Sequence, residues 1–254
     1  MDKYFVVSDV HSFFDEMMAA LAEKGFDINN PEHKLVVCGD LFDRGPKAVE
    51  LLEFVKSLGD RFIYVRGNHE DLLLDCYNDL ITHVYLGRHH ISNGTIDTIC
   101  QLTGLNKFEV MSYSEKRDAL LDTKILPLIY WMNETSVNYF EIGDYICVHG
   151  WIPCLSHQKD FKKANMIDWD RARWINGMEA WKNPENRVDG KTIICGHYHC
   201  SWGWSHIRQK RKEFPDKNRK DWQKSFEPFI DDGIIAIDAC TAYTGIVNCI
   251  VLEG

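Results

Sequence analysis

The chain has 254 residues, of which 45% are hydrophobic and 26% are charged, and its formal net charge is −9. This balance is typical of a globular protein and excludes a mainly disordered chain. The longest apolar runs fall short of the ~18 residues that a membrane helix needs, and the net negative charge argues against general nucleic-acid binding.

The first third of the chain alternates short apolar runs with helical patterns. Strands are predicted at residues 4–7, 34–38 and 62–65, and helices at residues 14–24, 48–58 and 71–80. Gly25 and Gly59 end the first two helices, and Pro46 suits the first turn of the second. This alternation is typical of an α/β unit.

The pattern changes after residue 80. Residues 81–126 contain no strong strand and are predicted to be an irregular or helical insert, and residues 151–190 are predicted to be a second insert. Further strands are predicted at residues 128–132, 137–141, 145–148, 192–195, 233–237 and 245–252. The second half is therefore expected to be β-rich, with mixed or antiparallel pairing. No linker is visible, so a single domain over residues 1–254 is predicted.

Polar clusters follow five of the predicted strands. They are Ser8-Asp9-Val10-His11, Gly39-Asp40-Leu41-Phe42-Asp43-Arg44-Gly45, Gly67-Asn68-His69-Glu70, His149-Gly150 and Gly196-His197-Tyr198-His199. The carboxyl ends of strands in an open α/β sheet converge on one crevice. Carboxylate, imidazole and amide oxygen suit Mn²⁺, Fe or Zn²⁺. The sequence therefore predicts a site for two divalent cations.

The ordered motifs DxH, GDxxDRG, GNHE, HG and GHxH resemble those of the calcineurin-like metallophosphoesterases. Arg44 directly after Asp43 narrows the resemblance to the phosphoprotein phosphatase branch. That branch includes serine/threonine protein phosphatases, small phage-type phosphatases and symmetrical dinucleoside tetraphosphatases. The resemblance runs from about Val6 to Leu252. It implies an α/β fold in which helices flank a two-sheet mixed β-sandwich.

The resemblance also implies a ligand set for two cations. Asp9 and His11 would bind the first, Asp40 would bridge both, and Asn68, His149 and His197 would bind the second. His199 would be a further ligand of the first cation. Mn²⁺ is the expected metal, with Fe and Zn²⁺ as alternatives.

The same resemblance implies two kinds of catalytic group. His69 would be the general acid, oriented by Asp43. Arg44 and Arg171 would bind the substrate phosphate, with Arg173 as an alternative to Arg171. A planar guanidinium engages two phosphate oxygens at once, which suits this role.

The predicted function is hydrolysis of a phosphate monoester by a hydroxide that bridges the two cations. Phosphoserine or phosphothreonine in proteins is the favoured substrate. The alternative is a symmetrical dinucleoside tetraphosphatase or another small-molecule phosphoesterase. A non-catalytic phosphate-binding module is disfavoured because every expected ligand and the acid are present. The partner is thus a phosphoprotein or a small phosphoester, without a membrane or general nucleic-acid binding.

Three other features carry expectations. Residues 208–224 have eight Lys or Arg against three Asp or Glu, and form either a solvated loop or a segment that steers anionic substrates. Trp151 is expected to narrow the mouth near the second cation. Nine cysteines without a CxxC pair, behind an N-terminus that lacks a secretory pattern, predict a reduced cytoplasmic protein. Cys38, Cys147 and Cys195 are expected to be buried behind the site.

Overall fold

The computed structural model describes residues 1–83, 86–154 and 160–254. Its strands are β1 Lys3–Val7, β2 His33–Cys38, β3 Phe62–Val65, β4 Ser136–Val137, β5 Phe140–Ile142, β6 Tyr145–Cys147, β7 Thr192–Cys195, β8 Phe229–Asp231, β9 Ile234–Ala236 and β10 Ile250–Glu253. Its helices are α1 Phe14–Glu23, α2 Ala48–Ser57, α3 Asn68–Thr82, α4 Arg88–Ser92, α5 Thr95–Thr103, α6 Lys107–Met111, α7 Glu115–Leu120, α8 Leu126–Thr135, α9 Met166–Ala172, α10 Gly177–Trp181, α11 Cys200–Trp202 and α12 Thr241–Thr244. Within the described ranges, no helix is both long enough and apolar enough to cross a bilayer.

The strands form two sheets. The first has the order β10-β1-β2-β3-β4, in which only the β1–β10 pair is antiparallel. The second has the order β5-β6-β7-β9-β8, with parallel pairs at its centre and an antiparallel pair at each edge. Both sheets are therefore mixed, and the predicted α/β fold class is confirmed.

Side-chain alternation along the strands explains the layers. In β1, Phe5 and Val7 join the core under the helices of the first sheet, whereas Val6 faces the second sheet. Val6 packs in one cluster with Val36 and Ile194, which come from both sheets. A third cluster lies between the second sheet and α9 and α10. Because successive strand residues point to opposite faces, each sheet buries both sides, and helices cover the outer ones.

The strand predicted at residues 128–132 is wrong, because this segment lies in helix α8. Leu128, Ile129 and Met132 are buried, and Tyr130 between them is 58% exposed, which is the spacing of a helix face. Pro127 lies in the first turn of α8, directly after a π-helical turn at Leu121–Ile125, and π-helical turns occur where an α-helix is locally disrupted. A short apolar run does not by itself distinguish a buried strand from a helix, and here the packing of one face decides it.

The single strand predicted at residues 137–141 is also wrong. Two strands occupy this region, because β4 pairs with β3 in the first sheet and β5 pairs with β6 in the second. The chain crosses between the sheets at residues 138–139. β5 and β6 form a hairpin, since Ile142 pairs with Tyr145 across Gly143-Asp144.

Both predicted inserts contain helices. Residues 81–126 include α4 to α7, and α5 packs against α2 and α3. In the second insert Trp151 is 1% exposed and its indole Nε1 donates to the Asn186 carbonyl at 3.0 Å. The expectation that Trp151 narrows the site mouth is therefore wrong, because its ring fills the core behind the second sheet. Residues 84, 85 and 155–159 of these inserts lie outside the described residues.

Candidate metal centre

The ends of β1, β2, β3, β6 and β7 meet along one edge of the two sheets. Their loops bond directly to one another: the Asp9 and His11 amides donate to the Gly39 and Asp40 carbonyls at 3.2 and 2.9 Å. The His197 amide donates to the Asp9 carboxylate at 3.0 Å, which joins the second sheet to the first. The convergence expected from the sequence is therefore present in the structure.

The backbone of this edge is unusually strained. Six of the predicted site residues adopt φ between 50° and 76°, in the left-handed region that side chains disfavour. They are Asp9, His11, Asp40, Asp43, Arg44 and His197. Such strain persists only where the surrounding structure over-determines it, and it clusters at functional sites.

Two glycines allow the loops to approach the centre. A Cβ at Gly67 would lie 2.3 Å from Asp40 Oδ1, and a Cβ at Gly196 would lie 2.2 Å from Asp9 Oδ2. Any larger residue at these two positions would displace a carboxylate. The backbone is thus packed directly against the groups that carry the charge.

Two groups of side chains in this centre could each hold a metal ion. One is His11, Asp40 and His69, and the other is Asp40, His149 and His197, with the ligand atoms of each group within 4.8 Å of one another. Asp40 belongs to both. Its Oδ2 lies 3.7 Å from His11 Nε2, and its Oδ1 lies 3.2 Å from His149 Nε2. The geometry therefore suits two cations side by side, with Asp40 between them.

Backbone carbonyls fix which nitrogen of two histidines faces the centre. His11 Nδ1 lies 2.9 Å from the Phe42 carbonyl, and His149 Nδ1 lies 2.8 Å from the Cys38 carbonyl. A carbonyl only accepts, so each Nδ1 carries the proton and each Nε2 presents a lone pair. The lone pair of His149 Nε2 then faces two other hydrogen-bond acceptors, Asn68 Oδ1 at 2.8 Å and Asp40 Oδ1 at 3.2 Å. A cation at this point would satisfy all three atoms, so the donor set fits a divalent metal.

Burial and neighbouring charges tune the protonation of these groups. Burial lowers the pKa of His11, and with His149 nearby it lowers the pKa of His197 to about 4. Burial opposes ionisation of Asp40, but the histidines around it outweigh that effect and hold its pKa well below the usual range. Neutral imidazoles around an ionised carboxylate are the states in which these side chains bind metals.

Three of the expected ligands lie outside these two groups. Asn68 is at the second group through its contact with His149. Asp9 is adjacent but accepts hydrogen bonds from the Ser8 hydroxyl and the His197 amide, and burial raises the pKa of its carboxyl to about 6. His199 is placed elsewhere. Its Nδ1 lies 2.9 Å from Ser201 Oγ and its Nε2 lies 3.5 Å from a Glu213 oxygen, so neither ring nitrogen faces the cations.

The expected acid and its carboxylate are brought together. His69 Nδ1 lies 2.7 Å from Asp43 Oδ2, which leaves Nε2 toward the centre, 3.8 Å from Asp40 Oδ2. Burial alone lowers the pKa of His69, but Asp40 and Asp43 together raise it above its ordinary value. Arg44 lies across the two imidazoles, with Nη1 2.9 Å from His11 Nε2 and Nη2 3.1 Å from His69 Nε2.

The two candidate arginines in α9 and just after it differ sharply. The Arg171 side chain is exposed and forms no hydrogen bond or ion pair within the described part of the chain. Arg173 is 3% exposed, and its guanidinium contacts Asp71, Asp170 and Asn138 at 2.9, 2.6 and 2.9 Å. Because Arg173 is committed to these partners, Arg171 is the one available to a phosphate.

Three further residues act on the centre and were not predicted. Glu70 accepts the amides of Gly67, Asp40 and Leu41 at 2.7, 3.1 and 3.0 Å, which locks the β2 loop to the start of α3. The hydroxyls of Thr95 and Thr98 in α5 donate to the two oxygens of Asp43 at 2.9 and 2.8 Å. Glu70 lies within GNHE and could have been suspected from the motif. No sequence motif marks the two threonines, because they lie more than fifty residues from Asp43 along the chain.

The chain belongs to the calcineurin-like phosphoesterase family, which matches residues 3–231. The chain is therefore a metallophosphoesterase, and the superfamily inferred from its motifs is confirmed. The family is dinuclear and metal-dependent, which agrees with the two ligand groups that share Asp40.

Curated relatives match parts of the chain. The asymmetrical bis(5'-nucleosyl)-tetraphosphatase PrpE of Bacillus subtilis (strain 168) is 35% identical over 128 residues, covering 47% of this chain and 50% of that protein. The symmetrical bis(5'-nucleosyl)-tetraphosphatase of Psychromonas ingrahamii is 49% identical over 70 residues, covering 28% of this chain and 25% of that protein. The chain thus spans half or less of the length of these relatives.

Solved structures agree in fold. A protein serine/threonine phosphatase from Saccharomyces cerevisiae matches with a TM-score of 0.52 and 16% identity, covering all of this chain and 80% of the yeast chain. At this identity the likeness establishes a shared fold alone.

Proposed function

We propose that the chain hydrolyses dinucleoside tetraphosphates, using two divalent cations of which Mn²⁺ is the first candidate and Fe and Zn²⁺ are the alternatives. The observation that carries the reaction class is Asp40, whose two oxygens face two separate groups of ligands. The substrate class is supported by the relatives named tetraphosphatases. A phosphoprotein substrate has less support, because the yeast phosphatase shares 16% identity and therefore the fold alone.

The proposed cation ligands are Asp9, His11, Asp40, Asn68, His149 and His197. His69 also lies within the first group, but it is assigned to proton transfer instead, because Asp43 holds its Nδ1. Two bound cations would lower the pKa of a water molecule and neutralise charge on the phosphate, which is the chemistry that such pairs supply. The surrounding protein holds the ligands in place before any substrate arrives. Backbone carbonyls accept hydrogen bonds from His11 and His149, and the carboxylate of Glu70 joins two of the loops.

Arg44 is proposed to bind the phosphate next to the bond that breaks. Its guanidinium lies directly over His11 and His69, and the residue is exposed to solvent, so an entering anion meets it. The planar fork can hold two phosphate oxygens and spread the charge that develops on them. Arg171 is proposed as the second such group.

His69 is proposed to protonate the leaving oxygen. Asp43 accepts from Nδ1, so protonation of the imidazole places the transferable proton on Nε2, which points into the centre and which Arg44 leaves when it binds the phosphate. The attacking water forms a bond to phosphorus and releases one proton to solvent, the bond between phosphorus and the bridging oxygen breaks, and the Nε2 proton passes to that oxygen; His69 then regains a proton from solvent. The carboxylates that raise the pKa of His69 keep it protonated for this step.

Product analysis with diadenosine tetraphosphate and Mn²⁺ tests this function. Symmetrical cleavage gives two molecules of ADP, and asymmetrical cleavage gives ATP and AMP, so chromatography of the nucleotides identifies the position of attack. We expect hydrolysis by the wild type and its loss in Asp40→Asn. An active preparation that cleaves a phosphoserine peptide but leaves the dinucleotide intact would overturn the proposal.

A further inference from the structure

A cavity of about 500 Å³ lies in the basic segment at residues 208–224. Five cationic side chains line it, namely Lys210, Arg211, Lys212, Arg219 and Lys224. The acidic residue of the lining is Asp221. A cavity of this size suits a small ligand, and its walls carry an excess of positive charge.

Most of this charge is not neutralised by the protein itself. Arg211 pairs with Glu227 at 3.0 Å, and Arg219 pairs with Asp221 at 3.6 Å. Lys210, Lys212 and Lys224 have no carboxylate partner within the described ranges. Three ammonium groups around one concave surface repel one another and focus a positive potential there, which attracts an anion with several charges.

Aromatic contacts fix the walls of the cavity. The Arg211 guanidinium lies 4.2 Å from the centre of the Trp204 ring, and Lys217 Nζ lies 5.3 Å from the centre of the Trp222 ring. Trp222, which also lines the cavity, packs edge-on against Phe226 at 6.0 Å between ring centres. A charged surface that is held in place before binding loses less entropy when a ligand arrives.

The segment also packs against His199, which follows the metal-centre motif in the chain but whose ring nitrogens do not face the cations. The Phe214 ring lies 4.9 Å from the His199 ring, and Glu213 lies 3.5 Å from His199 Nε2. His199 follows the proposed ligand His197 by two positions. The cavity is therefore built on the segment that flanks the centre, and none of its lining residues belongs to the proposed ligand set.

We propose that this cavity binds an oligophosphate, meaning two or more consecutive phosphate groups, with Trp222 available to an attached base. This inference rests on the proposed function, because the oligophosphate is taken to be part of a bound dinucleoside tetraphosphate, at the end remote from the cleaved bond. A free nucleoside triphosphate has the same chemistry and is the other source.

Binding of tripolyphosphate to the metal-free protein, measured by calorimetry, tests the site directly. The variant is Lys210→Gln/Lys212→Gln/Lys224→Gln, and the matched control is Lys3→Gln/Lys116→Gln/Lys124→Gln, which makes the same charge change at exposed lysines elsewhere. We expect the cavity variant to bind about tenfold more weakly or worse, because charge-assisted contacts dominate such binding. Equal affinity in the two variants, or no binding by the wild type, would overturn the proposal.

Kinetics of the same variants identify the source. A raised KM for diadenosine tetraphosphate, with kcat and the hydrolysis of p-nitrophenyl phosphate unchanged, supports the remote end of the substrate. Weaker tripolyphosphate binding with both reactions unchanged supports a free nucleotide. An equal loss on both substrates would place the damage at the catalytic centre and contradict the inference. If the wild type binds tripolyphosphate at the lysines but cleaves no dinucleotide, only the proposed function fails.

Discussion

The carboxylate of Asp43 is held on every side. It meets His69 Nδ1 at 2.7 Å and accepts the hydroxyls of Thr95 and Thr98, while its own amide donates to Thr98 Oγ at 3.0 Å. The motif predicted the pairing with His69, but the threonines come from an insert to which no role was assigned. Hydrogen bonds between distant segments leave no local pattern in a sequence, so this part of the site could not be predicted.

Replacing Thr98 by valine keeps the shape of the side chain and removes both of its hydrogen bonds to Asp43, one to the carboxylate and one from the amide. We expect kcat to fall about tenfold, since a hydrogen bond to a charged group contributes about 1.5–3 kcal/mol. Thr98→Ser restores the hydroxyl and should restore kcat. Steady-state kinetics with thermal unfolding as a fold control check this, and an unchanged kcat in Thr98→Val would contradict the positioning role.

Arg171 and Arg173 provide a matched pair. Arg171→Met should lower kcat/KM about tenfold or more without changing the free energy of unfolding, because the exposed guanidinium is proposed to bind only substrate. Arg173→Met should instead lower that free energy by about 1.5–3 kcal/mol, because the buried guanidinium gives up its hydrogen bonds to Asp71, Asp170 and Asn138, although Asp71 keeps its ion pair with Arg66. Denaturant titration and kinetics of both variants separate these roles. A loss of stability in Arg171→Met, with a loss of kcat/KM confined to Arg173→Met, would refute them.

Helix α5 connects the middle insert to the site. Gly94 begins this helix at φ +87°, and a Cβ there would lie 2.4 Å from the Arg44 amide nitrogen. The insert therefore packs on the backbone that carries the proposed phosphate-binding arginine. The sequence indicated helices in this region, but the face that meets the site depends on packing that periodicity alone does not specify.

Gly94→Ala tests this contact, with Gly104→Ala at the other end of α5 as its control. Both glycines have positive φ, so each substitution should cost about 1–2 kcal/mol of stability, and Gly94→Ala should cost more than Gly104→Ala because its Cβ meets the Arg44 backbone. Only Gly94→Ala should also lower kcat/KM, since a Cβ at Gly104 has no heavy atom within 4 Å. Equal kinetics in the two variants would show that α5 does not position Arg44.

The strand predictions succeeded where local pattern and packing agree. The parallel strands β1, β2 and β3 were located within a residue or two because their apolar runs are buried on both faces. The predictions failed at α8 and at the division between β4 and β5, where the surrounding layers decide the structure. The convergence of the motifs was predictable because strand ends share an edge, whereas the geometry of His199 depended on contacts with Glu213.

At the scale of the whole molecule, the two sheets meet at the proposed cation site. A cation that binds the folded protein should therefore stabilise it as a unit. At a Mn²⁺ concentration of about one hundred times Kd the gain is about 2.7 kcal/mol, which raises Tm by about 5–10 °C in a chain of this size. Calorimetric melting of metal-free protein with added Mn²⁺ checks this, and Asp40→Asn should lose the shift. A full shift in that variant would place the cation elsewhere.

The central claim is that this metallophosphoesterase centre acts on dinucleoside tetraphosphates. The most direct measurement compares kcat/KM for diadenosine tetraphosphate and for a phosphoserine peptide, with the same protein, Mn²⁺ concentration and ionic strength. We predict a value for the dinucleotide at least about a hundredfold above that for the peptide, equivalent to about 2.7 kcal/mol of transition-state discrimination. A higher value for the peptide would contradict this proposal and would favour a protein phosphatase.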